Sequence, residues 1–474
     1  MFDPAAVFPM RPSFNASSID DAKFTSRDPV GELTFTVDAT SPIFRTIPQW
    51  RQIPAGAGPR HIAPPPPVPP APRPRTPPRL LKKCGDTVAL PNPPTDESGP
   101  TLLYLPPSSG SGMGTLIAAG QGNNASTKKV HLLMARSETG GAKWSTPVNL
   151  LGYEWEKDIE NPMLGSDSKT GKVFCFFTTV DRHSGGCDDG ILTESGFQMV
   201  VSSDRGLTWG RPVDVQSTLP DKRNGLNRSL PCGHSVSPTV GAGVQLQHGP
   251  HAGRILFSGQ SDSNNGSVVI FSDTQGGSWD WTPDLHLPGN DETSLAETST
   301  GGVMAIMRNC IMKNGSNPDP RTGTPDDCVG PNHRFNAAWS TVRPEPRRPV
   351  CNSQPCSRFV QDGGSTFGEI RSHPDLVTPG CEGSLLSYRG AIIFAGPYST
   401  LPGTAVANPG RHNGTVLVSV DDGVRFNRSL LLQPSTFGYS ALQCGIPGPE
   451  GDCGVLYDCG DGLAFARFHF DDVR

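Results

Sequence analysis

The chain has 474 residues, a net charge of −5 and only 18% charged residues, so it lacks the basic surplus that is typical of nucleic-acid-binding proteins. Glycine and proline are abundant, at 55 and 49 residues, and the apolar runs between them are short. This composition favours an all-β architecture, and no apolar run approaches the roughly 20 residues that a membrane-spanning helix needs.

The N-terminal part of the chain differs from the rest in composition and in hydrophobic pattern. Residues 1–30 are polar and weakly patterned and predict a loosely ordered tail, whereas the apolar run at 32–37 predicts a strand. Residues 49–99 then change character and include the Pro-rich run IAPPPPVPPAPRPRTPPR at 62–79. Because proline cannot donate the hydrogen bonds of a sheet, this run is expected to be extended or disordered. We interpret 49–99 as an insertion in a β domain that covers 31–474, or as an error in the translated sequence.

From residue 100 onward, one short motif recurs five times. In SSDRGLTWG (202–210), Asp204 and Gly206 predict a tight turn between two strands, with the Trp packed behind it. Related segments start at positions 137, 272, 360 and 419, and each follows a short apolar run and ends in Trp or Phe. Hairpins that recur at intervals of 59–88 residues predict radial repetition of small antiparallel sheets, which is the architecture of a β-propeller.

These segments resemble the Asp boxes of the sialidase (neuraminidase) superfamily, and the resemblance implies a six-bladed β-propeller of four-stranded antiparallel sheets. Other motifs follow in the family's order: FRTIP at 44–48, TLLYLPPSSGSGMGTLIAAGQG at 101–122 and GYSAL at 438–442. The resemblance covers about residues 31–48 and 100–474. It implies a retaining exo-α-sialidase that removes terminal sialic acid from glycoproteins, from glycolipids such as gangliosides, or from oligosaccharides.

The resemblance also implies roles for six residues. Tyr439 would be the nucleophile, Glu292 its base, and Asp458 the residue that orients the first arginine. The carboxylate of the substrate would be bound by Arg45, Arg308 and Arg411. Guanidinium groups suit a sugar with a carboxylate on its anomeric carbon, and a neutral tyrosine avoids the repulsion that an anionic nucleophile would meet. Glu297 is the competing base, and the spacing to Arg308 favours Glu292.

One part of the family pattern is missing. The family's general acid/base is an Asp in the loop after an EGR-like segment, but here residues 120–122 read Gly-Gln-Gly, and the following stretch contains no Asp or Glu before Glu138. Val130 stands near the place of the acid. His131 is adjacent to it, but strand alternation gives His131 little weight as a substitute. Losing a general acid typically costs about 10²–10⁴-fold in rate.

Three explanations of the missing acid remain open. The chain is a catalytically impaired, sialic-acid-binding propeller; or it is a slow enzyme that uses another acid, such as Asp86 or Asp96; or the sequence of its first blade contains an error. A glycosidase that acts on another 2-keto sugar acid is a further alternative. The substrates and partners implied are sialylated glycans, with no nucleic acid.

No metal or other cofactor is expected, because the implied mechanism needs none and the sequence shows no clustered ligand set. The twelve cysteines lack the spacing of a zinc site, so disulfides or buried thiols are favoured. Seven N-x-S/T sequons and the even cysteine count favour a lysosomal or secreted protein. The N-terminus shows no signal peptide, which leaves the cytoplasm as the alternative.

Overall fold

The structure is a computed structural model. It describes residues 88–91, 99–108, 110–123, 129–152, 157–180, 195–220, 236–261, 266–282, 290–309, 334–340, 342–344, 350–351, 354–355, 359–368, 370–377, 379–398, 411–460 and 462–474. Several of the features predicted from the sequence lie outside these ranges. They are the tail at 1–30, Arg45 and the FRTIP motif, the Pro-rich run at 62–79, Asp86 and Asp96.

The regular secondary structure of the described residues is almost entirely β-strand. The strands are β1 (Val88–Pro91), β2 (Thr101–Leu105), β3 (Thr115–Asn123), β4 (Val130–Ser137), β5 (Val148–Asn149), β6 (Asp158–Ser166), β7 (Val173–Val180), β8 (Ser195–Ser202), β9 (Val213–Asp214), β10 (Val236–Pro238), β11 (Val244–Gln245), β12 (Ile255–Ser261), β13 (Gly266–Ser272), β14 (Asp280–Thr282), β15 (Asn290–Glu297), β16 (Val303–Asn309), β17 (Arg334–Trp339), β18 (Val342–Pro344), β19 (Val350–Cys351), β20 (Gln354–Pro355), β21 (Phe359–Gln361), β22 (Arg371–Val377), β23 (Ser384–Tyr388), β24 (Ala391–Pro397), β25 (His412–Ser419), β26 (Arg428–Thr436), β27 (Ser440–Cys444), β28 (Cys453–Asp458) and β29 (Gly462–Phe468). In this part of the chain the helices are short 3₁₀ turns at Gln216–Thr218 and Phe470–Asp472, and none is long and apolar enough to span a membrane.

Six antiparallel sheets arranged in a ring confirm the predicted six-bladed propeller. Blade 1 is β2–β5, blade 2 is β6–β9, and blade 3 is β10 and β12–β14 with β11 at its side. Blade 4 is β15–β16–β17–β22, blade 5 is β23–β26, and blade 6 is β27–β28–β29–β1. Strands of each blade contact strands of the next blade, and β27 of blade 6 contacts β2 of blade 1, so the ring closes.

The ring closes through a strand from the N-terminal side of the propeller. Val88 of β1 pairs with Ala464 of β29, so that β1 becomes the outermost strand of blade 6. The strand Val88–Pro91 falls inside the range 49–99. The first and last strands of the propeller therefore share one sheet.

The core lies between the blades, because one sheet cannot bury both of its faces alone. Between blades 2 and 3, for example, the rings of Phe176 and Phe257 meet edge to face with centroids 4.4 Å apart. Trp279, the aromatic residue that ends the repeat starting at 272, packs against both rings. The repeated aromatic residue thus contributes to the contact between neighbouring sheets.

The repeated segments are the turns between the third and fourth strands of blades 1 to 5. In the segment at 202–209, the backbone N–H of Gly206 donates to Ser202 Oγ at 2.8 Å, and the N–H of Thr208 donates to Asp204 Oδ1 at 2.8 Å. The hydroxyl of Thr208 also donates to this carboxylate, and these hydrogen bonds lower the pKa of Asp204 to about 2. The same hydrogen bond, from a glycine N–H to a serine Oγ, recurs at 2.8–2.9 Å in three further turns. These turns begin at Ser137, Ser272 and Ser419.

Blade 6 has no repeat of this kind because its third strand, β29, is the last strand of the chain. Its fourth strand is β1, which comes from the other end of the propeller sequence. Five repeats therefore suffice for six blades.

We expect Gly141→Ala to destabilise the propeller strongly. Gly141 has a φ of +90°, and a Cβ atom there would lie 2.0 Å from Cε1 of Phe465 in the neighbouring blade. Gly152 is a matched control, because its φ is +78° but no atom lies within 4 Å of its Cβ position. Gly141→Ala should lower the free energy of unfolding by about 1–3 kcal/mol more than Gly152→Ala, as measured by urea unfolding. Equal losses in the two variants would show that backbone strain alone accounts for the effect.

Five of the cysteines have described roles. Cys444 and Cys453 form a disulfide that joins the end of β27 to the start of β28, and Cys459 is also disulfide-bonded. Cys175 and Cys381 are buried free thiols. The prediction of disulfides or buried thiols is therefore confirmed for these cysteines.

Candidate active site

The polarity of the strands divides the propeller into two rims. Neighbouring strands are antiparallel, so the first and third strands of every blade begin at the rim where the second strand ends. Glu292 lies near the start of β15, Arg308 near the end of β16, and Asp458 ends β28. Arg411 immediately precedes β25, and Tyr439 immediately precedes β27. All five residues therefore lie at one rim, whereas the repeated turns lie at the other.

The side chains of Tyr439, Glu292 and Arg308 are in direct contact. The hydroxyl of Tyr439 donates a hydrogen bond to Glu292 Oε1 at 2.6 Å. Arg308 Nη1 donates to Tyr439 Oη at 3.1 Å and lies 2.8 Å from Glu292 Oε2. Tyr439 is only 2% exposed, whereas the side chains of Glu292 and Arg308 are each 15% exposed. The phenolic oxygen of Tyr439 is therefore in contact with both a proton acceptor and a positive charge.

Arg411 completes the described cluster from blade 5. Its guanidinium carbon lies 4.8 Å from the centroid of the Tyr439 ring, and Nη2 donates to the carbonyl of Gly380 at 3.4 Å. Burial lowers the pKa of Arg411, but the ionisable groups of Cys381, Tyr439 and Glu292 outweigh burial, so the net pKa is raised. Arg411 therefore stays positively charged beside the ring of Tyr439.

The backbone of Asp458 forms hydrogen bonds with the backbone of Gly438 and Tyr439. Its carbonyl accepts a hydrogen bond from the N–H of Gly438 at 2.7 Å, and its own N–H donates to the carbonyl of Tyr439 at 2.9 Å. A Cβ atom at Gly438 would lie 3.0 Å from Cβ of Asp458, so a larger residue there would push the strands apart. The predicted role of Asp458 in orienting Arg45 stays a prediction, because Arg45 lies outside the described residues.

Glu297, the competing base, occupies the opposite end of β15. Five residues at about 3.3 Å each place it roughly 16 Å along the strand from Glu292. Its carboxylate accepts hydrogen bonds from the backbone N–H groups of Gln247 and His248 at 2.7–3.0 Å. Glu297 therefore connects blades 3 and 4 at the other rim, and Glu292 is the glutamate of β15 that contacts Tyr439.

The sequence analysis did not identify three residues that surround Tyr439. Val240 and Cys381 pack with its side chain in one buried cluster, and Glu382, next to Cys381, is 0% exposed. Burial raises the pKa of the Cys381 thiol to about 12, so this thiol is neutral. None of the three belongs to a motif, so the sequence alone gives no signal for them.

The region that lacks the family's acid lies at the same rim, in blades 1 and 2. Gln121 lies near the end of β3, and its Oε1 accepts from the N–H of Asn161 at 3.4 Å. Val130 begins β4, and its N–H donates to Asp158 Oδ1 at 2.9 Å. Next to Val130, His131 is a buried imidazole, 5% exposed. Within the ranges that the structure describes, no group of three or more His, Cys, Asp or Glu side chains could hold a metal ion.

Comparisons with known proteins find similarity to sialidases. The family described as BNR repeat-like domain matches residues 114–329. A sialidase from Micromonospora viridifaciens is 25% identical over 358 residues, which are 71% of this chain and 46% of that protein. The chain thus spans about half the length of this relative.

Solved structures share the fold. The Hadza microbial sialidase Hz136 superimposes with a TM-score of 0.57 at 19% identity, over 80% of this chain and 66% of that one. An intramolecular trans-sialidase from Ruminococcus gnavus, in complex with oseltamivir carboxylate, gives a TM-score of 0.55 at 17% identity, over 79% of this chain and 94% of that one. At these identities the likeness shows the fold alone.

Proposed function

We propose that this chain, whose sequence and fold are similar to those of sialidases, is an exo-α-sialidase that releases terminal sialic acid with retention of configuration. Its substrates would be sialylated glycoproteins, glycolipids such as gangliosides, or oligosaccharides. The observation that carries the proposal is the hydrogen bond of 2.6 Å between the Tyr439 hydroxyl and the Glu292 carboxylate. A tyrosine hydrogen-bonded to a carboxylate base is an activated nucleophile.

In the proposed first step, Tyr439 Oη attacks the anomeric carbon of the sugar and Glu292 takes the phenolic proton. The bond between the anomeric carbon and the leaving alcohol breaks, and the alcohol oxygen needs a proton. The guanidinium of Arg308, 3.1 Å from the phenolic oxygen, favours the negative charge that develops there as the proton leaves. In the second step, water attacks the anomeric carbon, the bond to Tyr439 Oη breaks, and Glu292 returns its proton to the tyrosine. The proton that the water loses balances the one that the leaving alcohol takes up in the first step.

Arg308 and Arg411 would bind the carboxylate of the substrate. They approach Tyr439 from two different blades, one at the hydroxyl and one at the ring face. A carboxylate bound between them would place the anomeric carbon, to which it is attached, next to the phenolic oxygen. Arg45 would be the third member of this set by resemblance.

A sialic-acid-binding propeller without turnover is the second candidate. It is favoured by the absence of Asp and Glu from the stretch 121–137, where the family has its general acid. Such a protein would bind sialic acid through Arg308 and Arg411 but leave the departing alcohol without a proton donor.

The proposed function is tested with two substrates. We expect the wild-type protein to hydrolyse a fluorogenic aryl sialoside, whose phenolic leaving group needs no general acid, and to hydrolyse a sialyl-lactose more slowly. Proton NMR of the first product should show the anomer of the substrate. If neither sialoside is hydrolysed while calorimetry detects sialic acid binding that Arg308→Ala abolishes, the second candidate replaces the first. If there is neither hydrolysis nor binding, both are wrong.

A further inference from the structure

The strand β4 directs His131 toward the blade that carries Tyr439. Its pairing with β3 is regular from Val130 to Ser137, with His131 opposite Gly122, so successive side chains point to opposite faces. Leu132 and Met134 pack on the side of blade 2. The alternation places His131 on the other face.

That other face of β4 belongs to the boundary with blade 6. Leu133 and Ala135, which share the face with His131, pack in one cluster with Ala441 of β27. Ala441 is two residues after Tyr439 in the chain. Since β4 and β27 begin at the same rim, His131 lies at the rim of the candidate site, on the side of blade 1 that faces the blade of Tyr439.

The surroundings of His131 suit a group that exchanges a proton. The Asp158 carboxylate begins β6, is 7% exposed and is fixed by the N–H of Val130 at 2.9 Å. Burial lowers the pKa of His131, as does the positive charge of Lys129, while Asp158 raises it, and the net pKa is below its usual value of about 6.5. Among the described residues these are the two charged groups that act on the ring, so the imidazolium forms only below the usual pKa of a histidine.

We propose that His131 is the proton donor to the leaving alcohol. This inference rests on the proposed sialidase function and supplies the general acid that the sequence pattern lacks. Its chemistry is that of a histidine acting as general acid, here used for glycoside cleavage.

The proton balance is complete without any further group. In the first step, the C–O bond to the leaving alcohol breaks, the alcohol oxygen takes the proton of the His131 imidazolium, and the imidazole becomes neutral. In the second step, the neutral imidazole takes a proton from the water that attacks the glycosyl–tyrosine bond. His131 is thereby returned to its charged form, and the net reaction is hydrolysis.

The test compares two leaving groups in His131→Gln. The kcat/KM for a sialyl-lactose, whose leaving alcohol needs protonation, should fall by about 10²–10⁴-fold. The kcat/KM for the aryl sialoside should change by less than about tenfold, since a phenolate leaves without an acid. For the wild type, kcat/KM on the sialyl-lactose should decline as the pH rises through a pKa below about 6.5, and His131→Gln should lack this decline.

Two further variants serve as controls. His248→Gln alters an exposed imidazole at the opposite rim and should leave both activities unchanged. His131→Asp should recover part of the sialyl-lactose activity by placing a carboxyl group at the same position. An equal loss on both substrates, or no loss on either, would overturn the role of His131. If the wild type hydrolyses neither substrate, the sialidase function itself is wrong and this inference is wrong with it, whereas aryl hydrolysis with an unaltered ratio in His131→Gln contradicts His131 alone.

Discussion

Replacing Tyr439 with Phe is expected to reduce the hydrolysis of an aryl sialoside by roughly 10⁴-fold or more, since the substitution removes the only atom that forms the proposed covalent bond. The ring would still fill its buried place beside Val240 and Cys381, so folding should be preserved. The loss should appear in kcat, with binding of free sialic acid retained through the arginines. Stopped and continuous fluorescence assays, together with calorimetry, measure these two quantities.

Tyr388→Phe is the matched control for this substitution. Tyr388 also donates its hydroxyl to a carboxylate, that of Asp452 at 3.0 Å, but it ends β23 at the opposite rim. This variant should keep full activity and lose only a small part of its stability. A sialoside with fluorine next to the anomeric carbon gives a second measurement, because it slows the second step and should leave a sugar attached to Tyr439 by mass spectrometry. Full activity in Tyr439→Phe would disprove the tyrosine mechanism.

Glu292→Gln is expected to lower kcat by about 10²–10⁴-fold, because an amide cannot accept the proton of Tyr439. The same change removes the ion pair of 2.8 Å with Arg308. Arg308 then keeps its hydrogen bond to the phenolic oxygen and remains available to the substrate carboxylate, so KM should change much less than kcat. Steady-state kinetics on the aryl sialoside separate the two effects.

The control for Glu292→Gln is Glu297→Gln in the same strand. Its carboxylate accepts backbone hydrogen bonds from Gln247 and His248, so the variant should unfold more easily but hydrolyse the substrate at the wild-type rate. The reverse result, an inactive Glu297→Gln and an active Glu292→Gln, would show that Glu292 is not the base.

The propeller could be predicted because each repeated turn carries its own local signal. Gly206 has a φ of +78°, which favours glycine, and Asp204 binds the backbone of its own turn, so the residues that define the turn lie within a few positions of one another. The number of blades and the number of strands per blade followed from the resemblance. Neither required knowledge of contacts between distant parts of the chain.

The candidate site depends on contacts that no local pattern encodes. The pairing of Tyr439 with Glu292 joins blades 6 and 4, and the resemblance supplied these residues in advance. Cys381 and Glu382 carried no motif and became visible only once blade 5 was placed beside blade 6. The sequence analysis gave His131 little weight because strand alternation alone does not show which face of β4 carries it. That face is decided by the register of β4, which its pairing with β3 fixes.

The pairing of β1 with β29 also bears on how the protein is made. At about 5–20 residues per second, a ribosome needs tens of seconds to synthesise the chain between these two strands. During that interval β1 lacks β29, the strand with which it pairs in the folded protein. We therefore expect blade 6 to form only after β29 has been synthesised.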